Sequence, residues 1–341
     1  MVRFQCDYAE TAHPQILKFL ADRATEQNCT YCMDKYGASA TAKIRELCED
    51  QSLDVVFLNG GTATNVLAIS AFLRNPFEAA ICAGTGHINV HETGAIEYAG
   101  HKVIDVPAGE SGKLTPKLIA PVLHFHHSEH MVVPKLVYIS QSTEVGTIYS
   151  KAELAALSAF CRENGLYLYL DGARIASALT APENDLTLSD IAALTDAFYI
   201  GGTKNGLLNG EALVMRNPAV KDQIRWYIKQ KGFMMAKGFV VGMQFDYALS
   251  TGLFFEMAKH ANAEAQKIVE AIREGGYGFY AKPQTNQIFA ILPDEKAEEL
   301  SELTGCDIQE KLPDGKTAVR LVTSWATTDE AAEELCRWFT K

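Results

Sequence analysis

No apolar run in the sequence approaches the roughly 18 residues that a bilayer-spanning helix needs. Basic charge is scarce too: 31 Lys and Arg face 42 Asp and Glu among 341 residues, a formal net charge of −11. That sign argues against nucleic acid or an anionic membrane surface as the main partner, because both demand a basic footprint. Local basic pockets for one phosphate or carboxylate stay open. Residues 1–7 end in an acid where a signal peptide carries its apolar stretch, so a cytoplasmic location is expected. The eight cysteines lack paired zinc spacing. Cys29 and Cys32 form one CxxC with no second pair, and no metal is expected. Cys82, Cys161 and Cys336 lie in apolar surroundings, where a reduced thiol acts as a small hydrophobe. A Walker P-loop, a GxGxxG and internal repeats are absent as well.

What is present is a balanced globular composition, 48% hydrophobic and 21% charged, long enough for about two domains. Apolar strand-like runs alternate with helical spacing. Strands are expected at Asp54–Leu58, Ala79–Ala83, His101–Val106, Lys135–Ser140, Tyr167–Leu170 and Ala197–Ile200. Helices are expected at Thr62–Phe72 and Lys151–Asn164, the latter with Leu154, Leu157 and Cys161 on one face and Gly165 as C-cap. This alternation predicts a mostly parallel sheet covered by helices on both faces. After about residue 215 the pattern changes to helices at Pro218–Lys229 and Met243–Glu274, the second interrupted near Gly252. A strand (Asn286–Leu292), helix (Asp294–Leu303), strand (Thr317–Val322) and helix (Asp329–Phe339) follow, the order of a small α+β domain. The division expected is a large α/β domain over 12–248 and a small one over 249–341 joined by residues 1–11.

Ligands of open parallel sheets bind at the carboxyl ends of strands, so the residues after each strand carry the argument. Asn59-Gly60-Gly61-Thr62 follows the first strand and opens a helix, where free N–H groups and the dipole favour a phosphate. Alone it equally fits a tight turn. Asp171-Gly172-Ala173-Arg174 follows another strand and equally fits a helix cap with a salt bridge. Gly201-Gly202-Thr203-Lys204-Asn205-Gly206 sets one lysine among residues chosen for close backbone approach. Together these supply an anion pocket, a carboxylate and an amine, the parts pyridoxal phosphate requires for its phosphate, ring nitrogen and aldehyde. The histidines His124, His126, His127 and His130 lack acidic or thiol partners at helical spacing and are not expected to bind metal.

The segments NGGTATN, HINVHETGA, SQSTEVGTIYS, YLDGARIA and IGGTKNG resemble the low-specificity L-threonine aldolase family. That family belongs to the pyridoxal-phosphate fold type I (aspartate aminotransferase-like) superfamily, and the resemblance runs from FQCDYAETAHP to VRLVTS. It implies an α/β fold with a small C-terminal domain and an aldehyde-lyase that cleaves β-hydroxy-α-amino acids to glycine and an aldehyde. By motif, Lys204 would carry pyridoxal 5'-phosphate as a Schiff base, Asp171 would face the ring nitrogen and His87 would stack on the ring. Gly60, Gly61, Thr62 and Thr203 would hold the phosphate, with Lys237 adding charge to a phosphate of its own or a neighbouring subunit.

The resemblance also assigns Arg174 and Arg320 to the substrate carboxylate, although by sequence each equally suits an ordinary salt bridge. Two positions depart from the family. Cys6 precedes Asp7 where a serine is usual, and Thr143 stands where many members carry a second histidine at the β-hydroxyl. His87 or a bound water, with His91 behind, are then the candidate bases. The family assembles as dimers or tetramers with shared sites, which would bring in Tyr36 and Lys237. Two other readings stay open. A β-eliminating lyase, aminotransferase or racemase would use the same frame, and an α/β sensor of a phosphorylated ligand would need no catalysis.

Overall fold

The computed structural model describes residues 3–341, so the first two residues of the 1–11 segment lie outside it. Seven strands form the main sheet: β1 (Asp54–Leu58), β2 (Glu78–Ala83), β3 (Val103–Val106), β4 (Val133–Ser140), β5 (Tyr167–Asp171), β6 (Ala197–Gly201) and β7 (Glu211–Met215). Their order is β1-β7-β6-β5-β4-β2-β3. The pairs β3–β2, β2–β4, β4–β5 and β5–β6 are parallel, while β7 runs antiparallel to both β6 and β1. The mostly parallel sheet expected from the alternation is therefore present.

Its central strands are continuous buried runs. All five residues of β6 and of β7 are buried, as suits strands covered on both faces. One face packs Leu168, Leu170, Phe198 and Ile200 against Leu154, Leu157 and Cys161 of the helix Lys151–Glu163. The other packs Tyr138, Tyr169 and Tyr199 against Leu67, Ala68 and Phe72 of the helix Gly61–Phe72. From Leu67 to Phe72 every residue of that helix is buried, and its apolar residues are not confined to one face.

The second sheet contains β8 (Gly278–Phe279), β9 (Gln287–Pro293), β10 (Asp307–Leu312) and β11 (Lys316–Val322), in the antiparallel order β10-β11-β9-β8. Its core includes Ile268, Ile272, Val319 and Leu335, and Phe4 of the N-terminal segment inserts among them. Hydrogen bonds from Phe4 N to Thr304 O and from Val322 N to Phe4 O fasten that segment to the sheet.

Three local readings need correction. Antiparallel β7 was not expected, because its run begins on an acid directly after a glycine-rich loop. Edge strand β10, DIQEKL, is polar on both faces and carries no alternation to read. The helix expected at Pro218–Lys229 is two, Pro218–Lys221 and Ile224–Gln230, broken where Gln223 takes a φ of +59°. The interruption expected near Gly252 in the long helical stretch is present, where φ +79° separates Phe239–Thr251 from Leu253–Glu274. Among the described residues no helix is long and apolar enough to cross a membrane.

Candidate active site

The carboxyl ends of β1, β4, β5 and β6 open onto a cavity of about 310 Å³. Its wall carries Gly60, Gly61 and Thr62 from the first, Asp171 and Arg174 from the third, Thr203 and Lys204 from the fourth, and His87 from the turn after β2. Eight residues named from sequence thus meet in one place, though they are spread over residues 60–204.

Asp171 ends β5 and is 3% exposed. Its Oδ1 accepts the N–H of Ala173 at 2.9 Å; its Oδ2 accepts the Tyr138 hydroxyl at 2.6 Å and the Asn65 amide at 3.0 Å. Burial pushes this carboxyl upward, but His87 and the bonds from Tyr138, Tyr199 and Asn65 outweigh it, and the net shift is downward. The site therefore holds an ionised acid. Lys204 is shifted down as well, by burial first and by the Arg174 guanidinium second, against the opposing charges of Asp7, Asp171 and Glu211. A depressed ammonium is a more available amine.

The helix Gly61–Phe72 begins with no side chain capping its first turn, so its leading N–H groups are free for an anion. A Cβ at Gly60 would meet nothing within 4 Å, which leaves open space for a ligand to approach the backbone. Thr203 Oγ1 sits beside this turn and donates to Glu211 Oε1 at 2.7 Å. Glu211 Oε2 accepts the Gly202 N–H at 2.8 Å, and burial pushes its carboxyl up to about 7. Uncapped N–H groups, an ionised buried carboxylate and a lysine of lowered pKa together fit the phosphate, ring nitrogen and aldehyde of pyridoxal phosphate.

His87 is fixed by a second layer. Its Nδ1 lies 2.8 Å from Glu92 Oε1, whose side chain is fully buried. The Asn65 amide donates to both Glu92, at 2.8 Å, and Asp171, while its Oδ1 accepts the Tyr169 hydroxyl at 3.0 Å. The ring and the acid that face the cavity are thus linked through one amide.

Arg174 forms a two-pronged pair with Asp7: Nε to Oδ2 at 2.7 Å and Nη2 to Oδ1 at 3.0 Å. Asn286 adds a bond of 2.9 Å to Asp7 Oδ2. Arg320 faces an adjoining chamber of about 790 Å³, which shares Tyr8, His87, Glu144, Arg174 and Lys204 with the inner one. Its Nη2 pairs with Asp307, and its buried Nε has no partner among the described residues.

Besides Asp7, which is buried against Arg174, four expected residues lie off both walls. Thr143 is buried, its hydroxyl 2.8 Å from that of Thr147, and lines neither chamber. Cys6 is a half-buried free thiol beside Asp7. Tyr36 donates to Glu26 at 2.9 Å, and Lys237 is exposed on a distant loop. Neither reaches the cavity of its own chain. The residues that sequence reasoning missed are Asn65, Glu92, Tyr138, Glu144, Tyr199 and Glu211. Three lay inside quoted motifs as polar residues without a role, and Glu211 was the acid opening an otherwise apolar run.

Comparison with known proteins bears on this arrangement. The family model for beta-eliminating lyases matches residues 14–295. A low specificity L-threonine aldolase of Pseudomonas aeruginosa is 30% identical over 98% of this chain and 96% of its own length. A solved threonine aldolase from Leishmania major superimposes with a TM-score of 0.96 at 46% identity, covering 99% of this chain and 98% of that one. A methionine aminotransferase from Escherichia coli, 14% identical with a TM-score of 0.76 over 99% and 93% of the two chains, shares the fold alone.

Proposed function

The chain belongs to the beta-eliminating lyase family, and from that membership we propose that it is a pyridoxal-phosphate-dependent aldehyde-lyase, cleaving threonine-type β-hydroxy-α-amino acids to glycine and an aldehyde. One observation carries the reading: the Lys204 amine, the Asp171 carboxylate, the uncapped turn at Gly60-Gly61-Thr62 and the Arg174 guanidinium line a single cavity. When bound, the cofactor supplies a protonated conjugated ring that accepts the electron pair released as the Cα–Cβ bond breaks.

The chain's own groups do the rest. Lys204 would hold the cofactor's aldehyde carbon, and its lowered pKa keeps a fraction of the amine free to return after each turnover. Asp171, kept ionised by its donors, would hold the proton on the ring nitrogen. Gly60, Gly61, Thr62 and Thr203 would bind the phosphate, and His87, oriented by Glu92, would cover the ring. Arg174 and Arg320 would orient the substrate carboxylate. The fork of Arg174 toward Asp7 leaves Nη1 for that purpose, and the Nε of Arg320 has no partner among the described residues. Cys6, next to Asp7, remains a proposed substrate neighbour.

We read residues 12–248 as the large domain and 249–341 with 1–11 as the small one. A cytoplasmic homo-oligomer, dimer or tetramer, completes the proposal. Its support is an apolar hollow bounded by Tyr31, Met33, Phe57 and Phe233–Met235, next to the exposed Trp226 and the loop bearing Lys237. Tyr36 and Lys237 would then serve a neighbouring subunit's site. If so, Lys237→Ala weakens cofactor binding about tenfold. An unchanged cofactor Kd removes Lys237 from the site.

The deciding experiment incubates the cofactor-loaded protein with L-threonine, L-allo-threonine and phenylserine and measures glycine and aldehyde. Borohydride reduction should discharge the yellow colour and leave the cofactor covalently attached to Lys204. Transamination without aldehyde would instead select the aminotransferase reading, and a colourless protein that binds ligand without Lys204 would select the sensor.

A further inference from the structure

Glu144 follows β4 in the segment Ser140-Gln141-Ser142-Thr143-Glu144 and has been given no role so far. Four carboxylates line the two joined chambers, and Glu144 alone among them faces both: Asp171 and Glu211 face the inner one, Asp307 the outer one. Its two oxygens differ. Oε1 accepts the Ser140 hydroxyl at 2.6 Å and the His87 backbone N–H at 2.9 Å. No described residue donates to Oε2, and that atom is not sealed from the cavity. A carboxylate anchored through one oxygen and open at the other is built to meet a ligand.

We propose that Glu144 is the base that takes the proton from the substrate's β-hydroxyl. The assignment rests on the aldehyde-lyase reading above. Lys204 and Arg174 also line both chambers. A substrate whose amine takes the place of the Lys204 amine and whose carboxylate meets Arg174 has one heavy-atom arm left, the β-carbon. That arm lies at the junction where Glu144 stands. Other groups fit less well. Thr143 is turned away, and His91 lines only the outer chamber. His87 has Nδ1 committed to Glu92, with its ring assigned to covering the cofactor.

The proton accounting closes. Oε2 takes the hydroxyl proton, the O–H pair becomes the second C–O bond of the departing aldehyde, and the Cα–Cβ pair remains on the Cα side. A proton delivered there gives glycine, and Glu144 returns its own to solvent through the outer chamber. Burial lifts the Glu144 carboxyl above its usual range, with the Ser140 hydroxyl working against that and the charge of Asp171 adding to it. A carboxylate of raised pKa is a stronger base.

The test compares wild-type holoenzyme with Glu144→Gln, which keeps an acceptor for Ser140 and His87. Three quantities are measured: acetaldehyde release from L-threonine, deuterium uptake at the Cα of glycine in D2O, and pyridoxal phosphate affinity of the cofactor-free protein by fluorescence quenching. Glycine exchange uses the same cofactor site but has no β-oxygen. The expected result is a loss of at least about 100-fold in threonine cleavage, with exchange and cofactor Kd within about threefold of wild type.

Cleavage within about threefold of wild type overturns the proposal, and so does a parallel loss of cleavage and exchange. If the glutamine variant does not fold, Glu144→Asp serves. Its cleavage-to-exchange ratio should drop about tenfold or more, and an unchanged ratio overturns the assignment. A wild-type protein that exchanges glycine but cleaves no β-hydroxy amino acid sinks the aldehyde-lyase reading and this assignment together.

Discussion

Asp171 shows how one residue is held ready in an environment that ought to oppose it. Burial disfavours its charge, yet Ala173, Asn65 and Tyr138 all donate to it. Asp171→Asn removes the charge while keeping the shape, so threonine cleavage should fall about 100-fold or more with secondary structure intact. Steady-state kinetics and circular dichroism check both halves.

Glu211 is the converse case. Its carboxyl is raised to about 7 from an ordinary 4.5, so between those values the folded chain keeps a proton that the unfolded chain has lost. The contribution of Glu211 to stability is therefore greatest below pH 4.5, declines as pH rises to about 7, and carries a constant penalty above that. Thermal melts of cofactor-free protein should show this decline across pH 5–7, and Glu211→Gln should flatten it. Equal slopes for the two proteins would refute the assignment.

At the scale of elements, the site is a set of strand ends brought level by a parallel sheet. The helix Gly61–Phe72 has its first turn at the cavity because β1 leads into it through two glycines. The break at Gly252 does different work. It divides what would be one helix into two, and only a residue tolerant of φ +79° can occupy it. Nothing lies within 4 Å of a Cβ there, so Gly252→Ala carries backbone strain without a clash. It should cost about 1 kcal/mol in urea unfolding and leave kcat unchanged. A loss of activity would mean that the break between the two helices influences the site.

For the whole molecule, Asp7 is the tie that matters. One carboxylate joins the N-terminal segment to Arg174 after β5 and to Asn286 ahead of β9, so it fastens both sheets around the cavity. Asp7 is 1% exposed and the Arg174 side chain 12%. Asp7→Ala strands a buried guanidinium and should cost about 3–5 kcal/mol in denaturant unfolding. Burial raises the Asp7 carboxyl, but Arg174 and Lys204 outweigh it and the net shift is below 3.8. The pair thus contributes fully above that pH and is lost as pH falls through the lower folded value. Acid titration of wild type against the variant should show their stabilities converging below pH 3.8. A constant difference would place the stabilisation elsewhere.

Sequence alone determined the class of sheet and eight residues of the cavity wall, because apolar runs report burial and glycine, lysine and aspartate at strand ends report backbone approach and charge. It could not reach Glu92, Asn65, Tyr138 or Glu211, whose importance is one of distance: each is an ordinary polar residue until folding sets it within 3.0 Å of a group from a remote segment or backbone turn. The family resemblance pointed to Thr143, and nothing in the sequence drew attention to its neighbour Glu144. Which of two adjacent side chains faces a cavity depends on the local path of the backbone, and composition and spacing do not record that path. The three-dimensional packing decided it, since only there do the desolvation of a carboxylate and the donors that stabilise it act at the same point.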